Sequence, residues 1–334
     1  MTPARSRNES HSPRGPRRPR AASRALAALA VLAAAGGAGC YGEDGTDPAA
    51  VDLPVPEHGL QLSTPTFSVP AGTEVQHCYY FKLPSDVDLE VVHFQIKYLA
   101  GSHHMNLFQS DGDVPDHDEE CFGPVDFSSA TNPHGYDLIV GSQQSDLDWT
   151  LPEGVAFKLK AHRQILLQTH YVNATTQATP ANVGKVRINL ETAPDPSKIT
   201  AHMGTMFANN VNIKIPPHES RSFSTTCDLP AAAQIAALTG HFHSRGRTFS
   251  VNVAPDGSDP TDEIYRSRAW SEPPFTVLPE PRTVPANGGL FYTCDYQNDT
   301  DQTITFGPHV ETQEHCNLFA YFYPWEEDHA RYCF

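Results

Sequence analysis

The chain is 334 residues long and carries 39 acidic against 23 basic side chains, a formal net charge of −16. Seven Arg and one Glu fall within residues 1–24, so 16 basic and 38 acidic residues remain beyond Cys40, a net charge of −22. Such acidity argues against a nucleic-acid partner and suits solubility outside the cytoplasm, while the length exceeds what one hydrophobic core usually organises.

From the N-terminus, an Arg-rich stretch is followed by small apolar residues from Ala25 to Gly39 and then by Cys40. A charged region, an apolar region and a cleavage site are expected over residues 1–40, too short to span a bilayer as a permanent helix, so the protein is expected to be exported. Ala38-Gly39-Cys40 resembles the bacterial lipoprotein signal, although Gly37 stands where that pattern prefers Leu. The resemblance implies a lipid anchor on Cys40 and a membrane-anchored protein; ordinary secretory cleavage would leave it periplasmic or extracellular. Residues 41–60, rich in Gly, Asp and Pro, read as a flexible tether.

Beyond the tether, strand-like runs recur at 78–83, 89–98, 155–160, 164–171 and 184–190, then at 210–215, 234–238, 247–253, 289–296, 303–306 and 318–323. They alternate or run apolar, Pro and Gly punctuate them, and no long 3.6-residue period appears. An all-β fold of antiparallel sandwiches or jelly rolls is expected. Thr192-Ala-Pro-Asp-Pro-Ser197 is the best linker, because two prolines interrupt a continuing ladder. It divides residues 61–194 from residues 195–334. Apart from Cys40, the cysteines are Cys78, Cys121, Cys227, Cys294, Cys316 and Cys333. An even number in an exported protein reads as disulfides, one bridge in the first half and two in the second.

Six histidines in four clusters carry the chemistry: His103-His104, His170, His241-Phe-His243 and His315. On a strand, residues i and i+2 face the same way, so His241 and His243 form a two-ligand platform. His103 and His104 are neighbours, which a regular strand points to opposite faces. They need a bend or different ring nitrogens to meet at one ion. His170 lies on a separate apolar strand, where the plain reading is a buried, hydrogen-bonded histidine. If Cys294 and Cys316 join, they close a loop worth roughly 3 kcal/mol in the chain-entropy model and hold His315 firmly. All-imidazole triads suit Zn, Cu, Fe or Ni, and residue type alone does not choose among them. The remaining histidines read as surface or hydrogen-bonded residues, with His77 and His309 nearest to being exceptions.

In order, these clusters resemble the copper type II, ascorbate-dependent monooxygenases, the family of peptidylglycine α-hydroxylating and dopamine β-monooxygenases. The likeness rests on His103-His104-Met105, on Leu151-Pro-Glu-Gly-Val155 leading to Leu167-Gln-Thr-His-Tyr171, on His241-Phe-His243 and on Glu314-His-Cys-Asn317, where the family has Glu-Met-Cys. It implies two tandem jelly-roll-like domains facing each other across a solvent-filled cleft, each holding one copper, two ions per chain. By position, His103, His104 and His170 would bind the electron-transfer copper, and His241, His243 and His315 the copper that activates dioxygen. It also implies bridges Cys78 to Cys121, Cys294 to Cys316 and Cys227 to Cys333.

Two departures stand out. His315 replaces the family's methionine, a soft thioether that favours Cu(I), with a harder imidazole. Thr239 and Phe319 stand where the peptide-amidating members have an Arg and a Tyr for a carboxylate, so peptidylglycine is not the expected substrate. The leading expectation is a monooxygenase that hydroxylates an sp³ C–H bond of a small molecule with dioxygen and ascorbate or another one-electron donor. The alternative is a non-catalytic copper-binding or electron-transfer lipoprotein on the same scaffold.

Overall fold

The computed structural model describes residues 51–83, 85–99, 102–112, 115–121, 135–173, 182–257, 260–327 and 329–334. The expected signal segment, Cys40 and the first half of the expected tether lie outside them. The described residues are strands and loops with short 3₁₀ turns, an all-β protein.

Beside a two-stranded ladder of Phe67–Val69 and Asn182–Gly184, two larger sheets build the first half. One runs in the order Gly59–Ser63, Val186–Thr192, Leu89–Tyr98, Val155–Leu159 and Ala201–His202, with Asp146–Thr150 also paired to Leu89–Tyr98. The other runs His117–Glu120, Thr73–Lys82, Gln164–Asn173, Ser102–Ser110 and Tyr136–Ser142. Alternation decides which face is buried. In Leu89–Tyr98, Phe94, Ile96 and Tyr98 are buried while Gln95 and Lys97 between them are not, and the inward set meets Leu107, Val140, Ile165 and Leu167 of the other sheet in one apolar core. Gln164–Asn173 is buried almost throughout, because its second face is also covered by protein.

Residues of the second half supply that cover. Its main sheet runs Thr276–Val284, Ala233–His241, Asn317–Tyr323, Gly204–Asn209 and Arg331–Cys333, and a second runs Ser220–Asp228, Gly289–Gln297, Gly246–Ala254 and Glu263–Ser267. Leu238, Phe249, Val251, Tyr292, Ala320 and Phe322 form their shared core. Phe207, Phe275, Phe319 and Tyr321, by contrast, belong to the core of the first half. Tyrosine hydroxyls tie the same surfaces together: Tyr321 accepts from the Gly141 N–H at 2.9 Å, and Tyr332 accepts from Leu138 at 2.9 Å and donates to the Tyr136 carbonyl at 2.6 Å. The described residues therefore make one compact unit.

Three details differ from expectation. The described part of the expected tether is held: Val51 is 1% exposed, Gly59 and Leu60 pair with Glu191 and Leu190, and Asp52 bridges to Arg187 at 2.7 Å. A turn-rich composition had masked this edge strand, whose ladder supplies the order that the side chains do not. The expected linker is structured too, with Asp195 capping a 3₁₀ turn over Pro196–Lys198, after which Ala201–His202 still pairs with the first half's sheet. Within 210–215 only Lys214–Ile215 is a strand. The main strand there is Gly204–Asn209, buried on both faces and so lacking the period-two signal. Disulfides join Cys78 to Cys121, Cys227 to Cys333 and Cys294 to Cys316.

Candidate metal centre

Strand register brings the first three histidines together. His170 lies directly opposite His104, and the ladder slips there so that Tyr171 pairs with Ser102. His103 is the extra residue of this β-bulge. A bulge breaks the alternation that would separate neighbouring side chains, and the His103 and His104 rings stand 5.2 Å apart, with His170 5.2 Å from His103 and 5.0 Å from His104. The rings also use different nitrogens. Nε2 of His103 and Nδ1 of His104 are buried without a hydrogen-bond partner among the described residues. His170 Nε2 lies 3.3 Å from a Glu74 carboxylate oxygen. Burial works against that carboxylate's charge, but the hydrogen bond and charge of His170 outweigh it and hold the Glu74 pKa below its ordinary value.

The second three are held by carbonyls and a buried carboxylate. Nδ1–H of His243 donates to the Gln313 carbonyl at 2.9 Å, which leaves Nε2 as the free lone pair, and that atom has no partner among the described residues. Glu314, fully buried, accepts from the backbone N–H of His243 at 2.8 Å and of Arg245 at 2.7 Å. Burial pushes its carboxyl up to about 7 against the pull of these donors. Next to it, His315 is fixed by the Cys294–Cys316 bridge and by the Tyr296 hydroxyl, which donates to its carbonyl. Gly246 completes the turn after His243. A Cβ there would lie 1.8 Å from the ring of Phe242, the buried residue between the two histidines.

The two sets do not face each other across a cleft, as the resemblance implies. They touch. His103 lies 4.9 Å from His241 and 5.4 Å from His243, ring centre to ring centre, and His104 lies 5.4 Å from His241. His241 and His243 are in turn 5.3 and 4.4 Å from His315. Ligand nitrogens of His103, His104 and His170 lie within 4.8 Å of one another, and so do those of His103, His241 and His243. His103 is common to both groups because its bulge turns it toward the second half. Gln143 bridges the same gap: its Oε1 accepts from His241 Nδ1–H at 2.7 Å, its Nε2 lies 3.4 Å from His103 Nδ1, and it also donates to the Trp270 carbonyl.

Burial, reinforced by the neighbouring imidazoles, pushes His103, His104, His241 and His315 well below the ordinary imidazole pKa and His243 down to about 4. These rings are neutral and present lone pairs. A packed cluster of neutral imidazoles with unpartnered buried nitrogens fits a borderline transition metal such as copper. Of the residues with roles here, Gln143, Glu74 and Trp270 carried no signal in sequence. Glu314 was visible only as the residue before His315. His77, His93, His202 and His218 pair with acidic side chains away from this centre.

A cavity of about 120 Å³ opens beside the cluster, and His104, His241 and His315 form part of its wall. Phe108, Phe207, Phe306 and Phe319 supply its apolar surface, and Thr239 stands opposite Phe319 in the sheet.

Residues 199–334 match the family model described as copper type II ascorbate-dependent monooxygenase, C-terminal domain. This monooxygenase match takes in His241, His243 and His315, two of the three disulfides and the cavity floor, while His103, His104 and His170 precede it. No curated protein matches the chain. Solved structures similar to it include "Crystal Structure of the STIV MCP", 9% identical over 79% of this chain and 96% of that one, with a TM-score of 0.31. "PBCV-1 virus capsid, quasi-atomic model" is 8% identical over 81% and 95%, with a TM-score of 0.23. The N-terminal CBM22-1-CBM22-2 tandem domain from Paenibacillus barcinonensis Xyn10C is 9% identical over 80% and 83%, with a TM-score of 0.20. Similarities this low bear on neither fold nor function.

Proposed function

We propose that the protein is an exported copper-dependent monooxygenase that inserts one oxygen atom of dioxygen into an sp³ C–H bond of a small organic molecule. The other atom leaves as water, with two electrons from ascorbate or another one-electron donor and two protons. The observation that carries this reading is the juxtaposition, in a chain whose C-terminal part matches the monooxygenase family, of six clustered imidazoles and a cavity walled by three of them. His103, His104, His170, His241, His243 and His315 are the proposed ligands, for two copper ions. Anchoring of the exported chain through a lipidated Cys40, and two tandem jelly-roll-like domains over 61–194 and 195–334, belong to the same proposal.

Copper, when bound, supplies the activation of dioxygen and the one-electron chemistry. The chain's own residues prepare the site. Gln313, by accepting from Nδ1–H, leaves Nε2 of His243 free to ligate, and Gln143, by accepting from Nδ1–H of His241, turns that ring's Nε2 toward His315 Nδ1, 3.1 Å away. Glu314 and the Cys294–Cys316 bridge hold that half of the centre rigid. The phenylalanines of the cavity keep water away from a molecule lying against His104, His241 and His315.

The test is oxygen uptake by copper-loaded protein with ascorbate and a broad panel of small molecules, together with X-ray absorption of the reduced form of the wild type and of His315→Met. Hydroxylated product with stoichiometric oxygen uptake supports the reading. Copper-loaded protein that consumes no oxygen with any reductant or substrate overturns it.

A further inference from the structure

Three antiparallel strands place the cavity floor in two rows. Asn209 lies opposite Asn317, and Asn317 opposite His241; two residues along, Phe207 lies opposite Phe319, and Phe319 opposite Thr239. Directly opposed residues in an antiparallel ladder share a face, as do residues two apart. An amide pair therefore sits beside an imidazole of the metal cluster, next to a hydrophobic shelf whose Phe207 and Phe319 rings are 4.9 Å apart.

The polar lining divides sharply. Gln76, Gln143 and Gln168 are engaged within the protein, by the Cys121 carbonyl, by His241 and by Asn106. The side-chain oxygens of Asn209 and Asn317, residues 8% and 5% exposed, have no hydrogen-bond partner among the described residues. A buried carbonyl without a partner has lost its hydration with nothing in exchange, and a bound donor would make up that loss. Among the described residues the lining contains no Asp, Glu, Lys or Arg, so no side chain there offsets the desolvation of an ionised ligand. Size sets a further limit. A 150 Å³ cavity in another protein holds benzene; this one is about 120 Å³ and open on one side, so a single ring is its upper limit.

We infer that the cavity selects an uncharged molecule of about one six-membered ring that carries a hydroxyl, the hydroxyl bonding the Asn209 and Asn317 amides and the ring lying on Phe207 and Phe319. A hydroxyl both donates and accepts, so it serves either end of an amide. The inference rests on the proposed function for the statement that this molecule is the substrate. The binding claim can be tested separately.

Titration calorimetry on the copper-free protein measures binding to the cavity's own side chains, with no metal charge and no turnover. The probes are benzyl alcohol, toluene, benzoate and benzylammonium, similar in size. Benzyl alcohol is expected to bind at least tenfold more tightly than each of the other three. Asn317→Leu should abolish its advantage over toluene and leave toluene unchanged, and Asn209→Asp should shift the preference to benzylammonium. Benzoate or benzylammonium binding the wild type as tightly as the alcohol would overturn the inference, as would an equal affinity for toluene. Oxygen uptake by the copper-loaded protein is then measured with the same four probes and the broad panel. Selective binding of the alcohol with no uptake for any molecule supports the binding inference and overturns the monooxygenase reading. Uptake confined to charged molecules does the reverse.

Discussion

Replacing Glu314 with Gln tests how the second half of the centre is held. The carboxylate is fully buried and accepts two backbone donors, from His243 at 2.8 Å and Arg245 at 2.7 Å. Gln has the same length but one acceptor oxygen. Its NH₂ group must face whichever N–H the oxygen does not take. One buried backbone donor is then left unpaired, at a cost of about 1–3 kcal/mol. Urea denaturation at pH 8, above the value of about 7 to which burial pushes the carboxyl, compares the amide with the ionised form. The midpoint should fall by that amount with an unchanged slope. Because the lost anchor sits on His243, copper affinity should also fall, by about 10–100-fold, as for other residues that orient ligands. A stability loss under about 0.5 kcal/mol would refute the hydrogen-bond argument. A full stability loss with unchanged copper affinity would refute the claim that Glu314 positions a ligand.

Cys294→Ala combined with Cys316→Ala opens a loop with a sequence separation of 22. It should cost about 3 kcal/mol by denaturation and weaken metal binding through His315; a loss below about 1 kcal/mol would remove the bridge from the account. His103 stands beside both halves of the cluster, so in a copper titration His103→Ala should weaken every ion bound, whereas His170→Ala should weaken one. Equal titrations of the two variants would show that His103 is not shared. His93 lies away from the centre, 2.7 Å from Asp148 and 3.0 Å from Glu191. Burial opposes its charge, but the hydrogen bonds its ring donates to the two carboxylates outweigh it and raise its pKa. The charged ring therefore stabilises fully below its unfolded value and less as pH rises through the folded one. His93→Gln should lose more stability at pH 5.5 than at pH 9, by less than about 1 kcal/mol for a pair this exposed. Equal losses at both pH values would contradict the assignment.

Much of the fold was legible because strands announce themselves by alternation. Leu89–Tyr98 and Arg247 to Val253 show it, and both are strands. Gly204–Asn209 shows none, because both of its faces are buried. Gly59–Ser63 was hidden for the opposite reason: an edge strand draws its order from one ladder and needs little apolar pattern. The site followed the same logic. The spacing of His241 and His243 predicted a shared face on one strand, but the strand ends at His241 and His243 sits in the turn after it, its ring 5.2 Å from that of His241; Gln143 sits in a polar stretch that gives no hint of a role.

By itself, the sequence determined the inventory: which side chains can ligate a metal, that the protein is built of strands, and that six cysteines can pair. Tertiary structure alone decided that a bulge at His103 merges two triads into one cluster, that Glu314 clamps its neighbours, and that two asparagines face an apolar cavity. Ligand type and periodicity are local properties of the chain. Distances between residues about 140 positions apart, such as His103 and His241, depend on ladder register and on how sheets stack, which arise only when the whole molecule packs.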